Sequence, residues 1–207
     1  MSAILYLPRL GEGKRRQRSR LYAERRGWEY LPTDRSLVRA FESPPFGVRR
    51  HGRATNAMRG VVRGREFVAF DFHCVNGAGL GRPTEYFAVC AVRIPGRLPV
   101  VRLRSENPVT RAATVAGSTD VEVESEAFNR RWHVSSHDVR ATRAILTPRM
   151  IDRLLASDLI WKAVIFEPGF VLVYTDGPSG GWFNESMLDT VCDIADLVPG
   201  FLAEDYP

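Results

Sequence analysis

Apolar positions along this chain recur with two different periods, and the change of period marks its elements. From about residue 54 the two-residue period dominates. Ala57 to Val62 and Glu66 to Val75, joined through Arg63-Gly64, predict a hairpin, because glycine supplies the positive φ that a tight turn needs. In the second strand Val68, Phe70, Phe72 and Cys74 share one face, and Phe67, Ala69, Asp71 and His73 share the other. The first face is core. The second is mixed and suits cover by a helix. Tyr86 to Val92 is apolar on both faces, as a central strand is. Further strands are expected at Leu98 to Leu103, around Val121 and Val123, and at Trp132 to Val134. Trp161 to Phe166, Pro168-Gly169 and Phe170 to Tyr174 read as a second hairpin.

The helical period appears in five other places. Residues 14–26 predict a basic helix docked by Leu21 and Tyr22, stopped at Gly27 and followed by a short strand near 28–31. Asp34 can cap a short helix carrying Leu37, Val38 and Phe41, and Ser43-Pro44-Pro45-Phe46-Gly47 then breaks the chain. Ser135 or Ser136 is expected to cap a helix that turns Val139, Ile145 and Leu146 inward. Thr147-Pro148 opens the next one, with Met150, Ile151, Leu154 and Leu155 on one face. A last helix over about 184–197 buries Met187, Val191, Ile194 and Leu197. Loops are expected over 76–83 and 112–117. Strand pairs joined by short turns imply an α+β fold, a mainly antiparallel sheet with packed helices. The organisation expected is a basic N-terminal arm over 1–27 and a single α+β domain over 28–207.

Charge adds one feature to this picture. The net charge of +5 is unevenly spread: residues 1–65 hold 16 basic and 5 acidic side chains, and residues 66–207 hold 13 and 19. A uniformly basic nucleic-acid binder would not show that asymmetry. Lys14, Arg15, Arg16, Arg18, Arg20, Arg25 and Arg26 fall within 13 residues, opposed by Glu24 alone. Arginine outnumbers lysine 27 to 2, so arginine by itself carries no message about phosphate. Cys74, Cys90 and Cys192 form no CxxC pair, which argues against a disulfide scaffold or zinc ribbon and for buried thiols in a reducing compartment. No apolar run reaches the ~18–20 residues that cross a bilayer, and no signal-peptide pattern precedes the basic cluster. A cytoplasmic location is expected, peripheral at the inner face of the membrane if the basic arm binds there.

The chemistry-bearing combinations each have a structural explanation. Gly77-Ala78-Gly79-Leu80-Gly81 lacks the helix whose first amides would hold a phosphate, and Gly177-Pro178-Ser179-Gly180-Gly181 lacks the lysine of a nucleotide loop. Asp71 and His73 share a strand face, so a carboxylate could orient an imidazole, but no third group is identifiable. Ser135-Ser136-His137-Asp138 holds three triad residue types side by side, whereas triads converge from distant segments; capping is the better reading. The four histidines show no metal-binding spacing. No catalytic, cofactor or metal residues are therefore assigned. The expectation is a non-enzymatic interaction module for a protein partner or an anionic membrane surface. Its candidate contact residues are the seven cations and Trp28. A nucleic-acid accessory protein is the alternative, and an enzyme using Asp71 and His73 the second.

The run from Val121 to Val134, with Glu124-Ser125-Glu126-Ala127-Phe128-Asn129-Arg130-Arg131-Trp132 at its centre, continues to Leu146-Thr147-Pro148-Arg149-Met150. With Arg26-Gly27-Trp28, Pro45-Phe46-Gly47, Val68-Ala69-Phe70-Asp71 and Leu98-Pro99, it resembles an actinobacterial family of uncharacterised proteins. The resemblance implies no activity, cofactor or catalytic residue. It also implies an outward or adaptable position for Trp132 and His133, where relatives more often show phenylalanine and arginine. Glu124 to Asn129 reads as a turn, with Phe128 anchored in a core and Asn129 bonding to backbone groups.

Overall fold

The computed structural model describes residues 12–46, 52–75, 84–105, 119–156, 163–178 and 185–207. Among these residues nine strands form one sheet in the order β1-β2-β3-β4-β9-β8-β5-β7-β6, every neighbouring pair antiparallel. The strands are β1 (Glu29–Thr33), β2 (Arg53–Val62), β3 (Arg65–Val75), β4 (Thr84–Arg93), β5 (Val101–Ser105), β6 (Thr119–Asp120), β7 (Trp132–Ser136), β8 (Ala163–Glu167) and β9 (Phe170–Asp176). The helices are α1 (Glu12–Arg26), α2 (Glu126–Arg131), α3 (Val139–Ile145), α4 (Pro148–Leu155), α5 (Glu185–Asp196) and α6 (Leu202–Asp205), with a short 3-10 turn at Ser36–Val38. This is the α+β architecture that the paired strands imply.

Both predicted hairpins form. Arg63 (φ 49°) and Gly64 (φ 74°) make the tight turn between β2 and β3, whose paired positive φ angles match the strand twist. Strand alternation then divides the core into two layers. On one face Phe67, Ala69, Cys90, Val92, Val101, Leu103, Val171 and Val173 pack with Ala23, Met150, Leu154, Leu188, Val191 and Ile194 from the helices. On the other, Val68, Phe70, Phe72, Val89, Ile165 and Leu172 meet Leu37, Phe41 and Phe46 from the irregular segment after β1. One face therefore carries helices, and the other a ring-rich strap. All three cysteines are buried thiols.

Several expectations are corrected by what competes for the same residues. Ser135 and Ser136 belong to β7, and Asp138 caps α3 instead, accepting from the Ala141 amide at 2.8 Å. Val139 is 37% exposed, because the capped helix turns Ala141, Thr142 and Ile145 inward. Residues 126–131 form a helical turn capped by Ser125, although Phe128 and Asn129 keep the roles expected of them: Phe128 is buried, and Asn129 bonds both backbone groups of Val123. Trp132 is not outward. It is 2% exposed, and its Nε1 donates to the Leu154 carbonyl at 3.0 Å. Beside Val121, β6 is shifted to Thr119–Asp120, with the Val121 amide still donating to Val134. β5 starts at Val101, after a buried Leu98. Thr147 does cap α4.

The two outermost strands are both blunted. β1 contains Pro32, which removes an amide donor, and β6 has two residues among those described. Among the described residues no helix is long and apolar enough to cross a membrane.

Candidate interaction surface

α1 carries the candidate contact residues, and its C-terminal end fixes how it sits. The Trp28 amide donates to the Ala23 carbonyl at 2.9 Å and the Gly27 amide to Glu24 at 3.2 Å, with Gly27 at φ 66°. That pairing closes a helix on a left-handed glycine and reverses the chain into β1. Arg25 and Arg26 occupy the last turn, where positive charge complements the carbonyl end of the helix.

Docking rests on Tyr22, Ala23 and Trp28. Ala23 is fully buried, while Tyr22 and Trp28 pack against the helix-side core. Leu21, expected to help, is 41% exposed, because it lies one position off the buried stripe. The Trp28 ring meets Tyr22 (centroids 5.8 Å) and Phe67 (4.6 Å) edge-on, and the Arg26 guanidinium covers both Tyr22 and Trp28. Gly60 makes room for this ring: a Cβ there would lie 2.4 Å from it.

The other faces of α1 are charged. Lys14, Arg16, Arg18, Arg20, Arg25 and Arg26 are exposed, and Arg15 is half-buried. Arg20 pairs with Glu24 at 3.3 Å on the surface. Inside, Tyr30 donates to Asn56 Oδ1 at 3.0 Å, and Asn56 Nδ2 donates to Asp71 Oδ2 at 2.8 Å. Burial raises the Tyr30 hydroxyl above its ordinary value, against the pull of Arg16 and Arg20.

The other sequence candidates are dispersed. The buried Asp71 carboxylate is held by Asn56, and the half-buried His73 lies against the Tyr86 ring. The loop 76–83, the linker 112–117 and residues 179–181 of the second glycine run lie outside the described residues. His137 is exposed, while Ser136 bonds the Val100 carbonyl and Asp138 accepts from Tyr206 at 2.7 Å. Among the described residues no three His, Cys, Asp or Glu side chains are grouped to hold a metal.

Two clefts open on the strap side of the sheet. One, about 960 Å³, is lined by Thr33, Asp34, Arg35, Arg39 and Arg53 among others. Burial works to raise the Asp34 carboxyl, but the Ser36 hydroxyl and amide, together with Arg59, outweigh it and hold it below the usual range. The second, about 520 Å³, lies between Leu37, Phe41, Val61, Val68 and Phe170, rimmed by Arg59, Arg93, Glu29 and Glu66. Arg93 is spoken for there: it pairs with Glu66 at 3.2 Å and covers the Phe170 ring.

No family model matches the chain, and no curated protein matches it. The crystal structure of the mycobacterial trehalose monomycolate transport factor A is similar in fold, with a TM-score of 0.63 at 18% identity. The match covers 91% of this chain and 93% of that one.

Proposed function

We propose that this protein is a non-catalytic accessory module that docks on an anionic membrane surface through α1, as a peripheral protein of the inner face. One observation carries the reading: α1 is anchored by Tyr22, Ala23 and Trp28 while six cations and Leu21 remain exposed on it. A helix held by one face presents its charges without a further cost of ordering its backbone. The exposed Leu21 adds an apolar contact among them, which suits a headgroup layer better than a purely ionic partner. An accessory role accords with the fold shared with a protein described as a transport factor. Kinship with the actinobacterial family that residues 121–150 resemble belongs to the same proposal.

Flotation with phosphatidylglycerol vesicles tests it. Attraction is on the order of 1 kcal/mol per basic residue near such a surface. Replacing Lys14, Arg16, Arg18 and Arg25 with serine is expected to weaken binding by about three orders of magnitude at low salt. Equal flotation of the variant removes α1 from the function. A partner protein pulled down by the wild type and lost from the variant, with no vesicle binding by the wild type, would favour a protein surface instead. Salt-sensitive binding to nucleic acid but not to vesicles would favour the nucleic-acid reading.

A further inference from the structure

The strap side of the sheet ends, far along the strand order from α1, in a row of polar side chains that no element of the interaction surface uses. β5 alternates Val101 and Leu103, both buried in the helix-side core, with Arg102 and Arg104, which therefore emerge on the opposite face. The register places Arg102 between Ser135 of β7 and Ile165 of β8, and Arg104 between His133 and Ala163. Side chains directly opposite across an antiparallel pair are neighbours, so Arg102, Arg104, His133 and Ser135 form one cluster on one face, with Asp120 of β6 opposite Ser135 at its edge.

The two arginines differ from three other partly buried ones. Arg65 and Arg153 meet Asp196 and Asp193, at 2.8 and 3.3 Å. Arg59 meets Asp34. Arg102 and Arg104 are also half-buried, yet among the described residues neither makes a hydrogen bond or an ion pair. Their nitrogens are not among the buried unbonded atoms, so both heads stay open to an incoming group. Two cations side by side, partly removed from water and with no direct ion pair, are costly to hold. Burial accordingly pushes the Arg102 guanidinium below its ordinary value, and Arg104 adds to the push against the opposing effects of Tyr174 and Glu167. Two acids border the cluster, and Asp120 must give up His133 to an added anion. Glu167 is buried and accepts from the Ser43 amide, and Asp120 lies 3.5 Å from His133 at the sheet's margin.

We propose that Arg102 and Arg104, with His133 and the hydroxyl of Ser135 beside them, form a binding site for a phosphomonoester dianion. Two guanidinium forks on alternate residues of one strand supply two positive charges and planar N–H donors, which suits a dianion with three terminal oxygens better than a carboxylate or a phosphodiester. The same chemistry occurs in a soluble phosphomonoester and in a phosphatidate headgroup. The site lies on the opposite sheet face from α1 and stands independently of the membrane reading.

Calorimetric titration of the full chain with methyl phosphate, at low salt and near neutral pH, is expected to show saturable binding. Acetate and dimethyl phosphate bind more weakly. The double variant R102Q/R104Q loses about tenfold or more in affinity. Should it fail to fold, R102K/R104K keeps the charge without the fork and is expected to fall between. The wild type supplies a second readout, because methyl phosphate then shifts the amide resonances of residues 102–105 and 133–135. Phosphatidate vesicles that displace methyl phosphate assign the site to a lipid headgroup, and failure to displace assigns it to a soluble ligand. The α1 serine variant keeps the binding. No saturable binding, equal affinity for acetate, or shifts confined to α1 would overturn the site.

Discussion

At the scale of single residues, three side chains hold together parts of the chain that are distant in sequence. Asp138 caps α3 and also receives the Tyr206 hydroxyl, 68 residues away. The Ala141 amide first, and Tyr206 next, hold its carboxyl below the ordinary value. A depressed acid stabilises the fold above its unfolded value, and that contribution is lost as pH falls through the lowered one. Asp138→Ala is therefore expected to cost about 1 kcal/mol near neutral pH, with the difference from wild type shrinking in acid, as melting curves across pH will register. Glu167 has the opposite sign. Burial raises its carboxyl despite the bonds from Ser43 and Glu42. Its favourable contribution is present below the ordinary glutamate value and lost as pH rises through the raised one. Glu167→Gln, which imitates the protonated form, should raise the melting temperature at neutral pH and leave it unchanged in acid. An equal gain at both pH values would show that charge is not the cause. Trp132→Phe keeps the ring buried and removes the bond to Leu154, at a cost of about 1–2 kcal/mol.

At the scale of elements, what could be read from the sequence depended on whether one local signal decided the outcome. Arg63-Gly64 and Thr147-Pro148 each had a single geometric solution, and the turn and the cap followed. Around residues 135–138, two serines and an aspartate all suited a cap. The choice was settled by β7, which needs Ser135 and Ser136 opposite Arg102 and Val101. Trp132 carried a hint that went unused, since a tryptophan N–H seeks a partner when buried. The basic run of α1 was plain in the sequence because its residues are consecutive. Arg102 and Arg104 were not, because Val-Arg-Leu-Arg reads as any half-exposed strand, and missing counter-charges show only across strands. The seat of α1 offers its own test. Gly60→Ala would force a Cβ into the Trp28 ring and is expected to cost about 1–3 kcal/mol. Tryptophan fluorescence should shift as Trp28 leaves Phe67, and an unshifted spectrum with unchanged stability would show that α1 is seated otherwise.

At the scale of the whole molecule, a nine-stranded sheet raises the question of how it stops. Among the described residues its first margin is the five-residue β1, which contains Pro32, and its last is only Thr119–Asp120. Neither offers a run of vacant amides and carbonyls long enough for a foreign strand to zip onto. Recognition by this protein is thereby pushed away from main-chain pairing and onto its two broad faces, where side-chain identity decides what adheres. Pro32→Val would reopen a ladder at one margin, and self-association of that variant, seen as a concentration-dependent sedimentation rate, is the price such a sheet would meet without its stop.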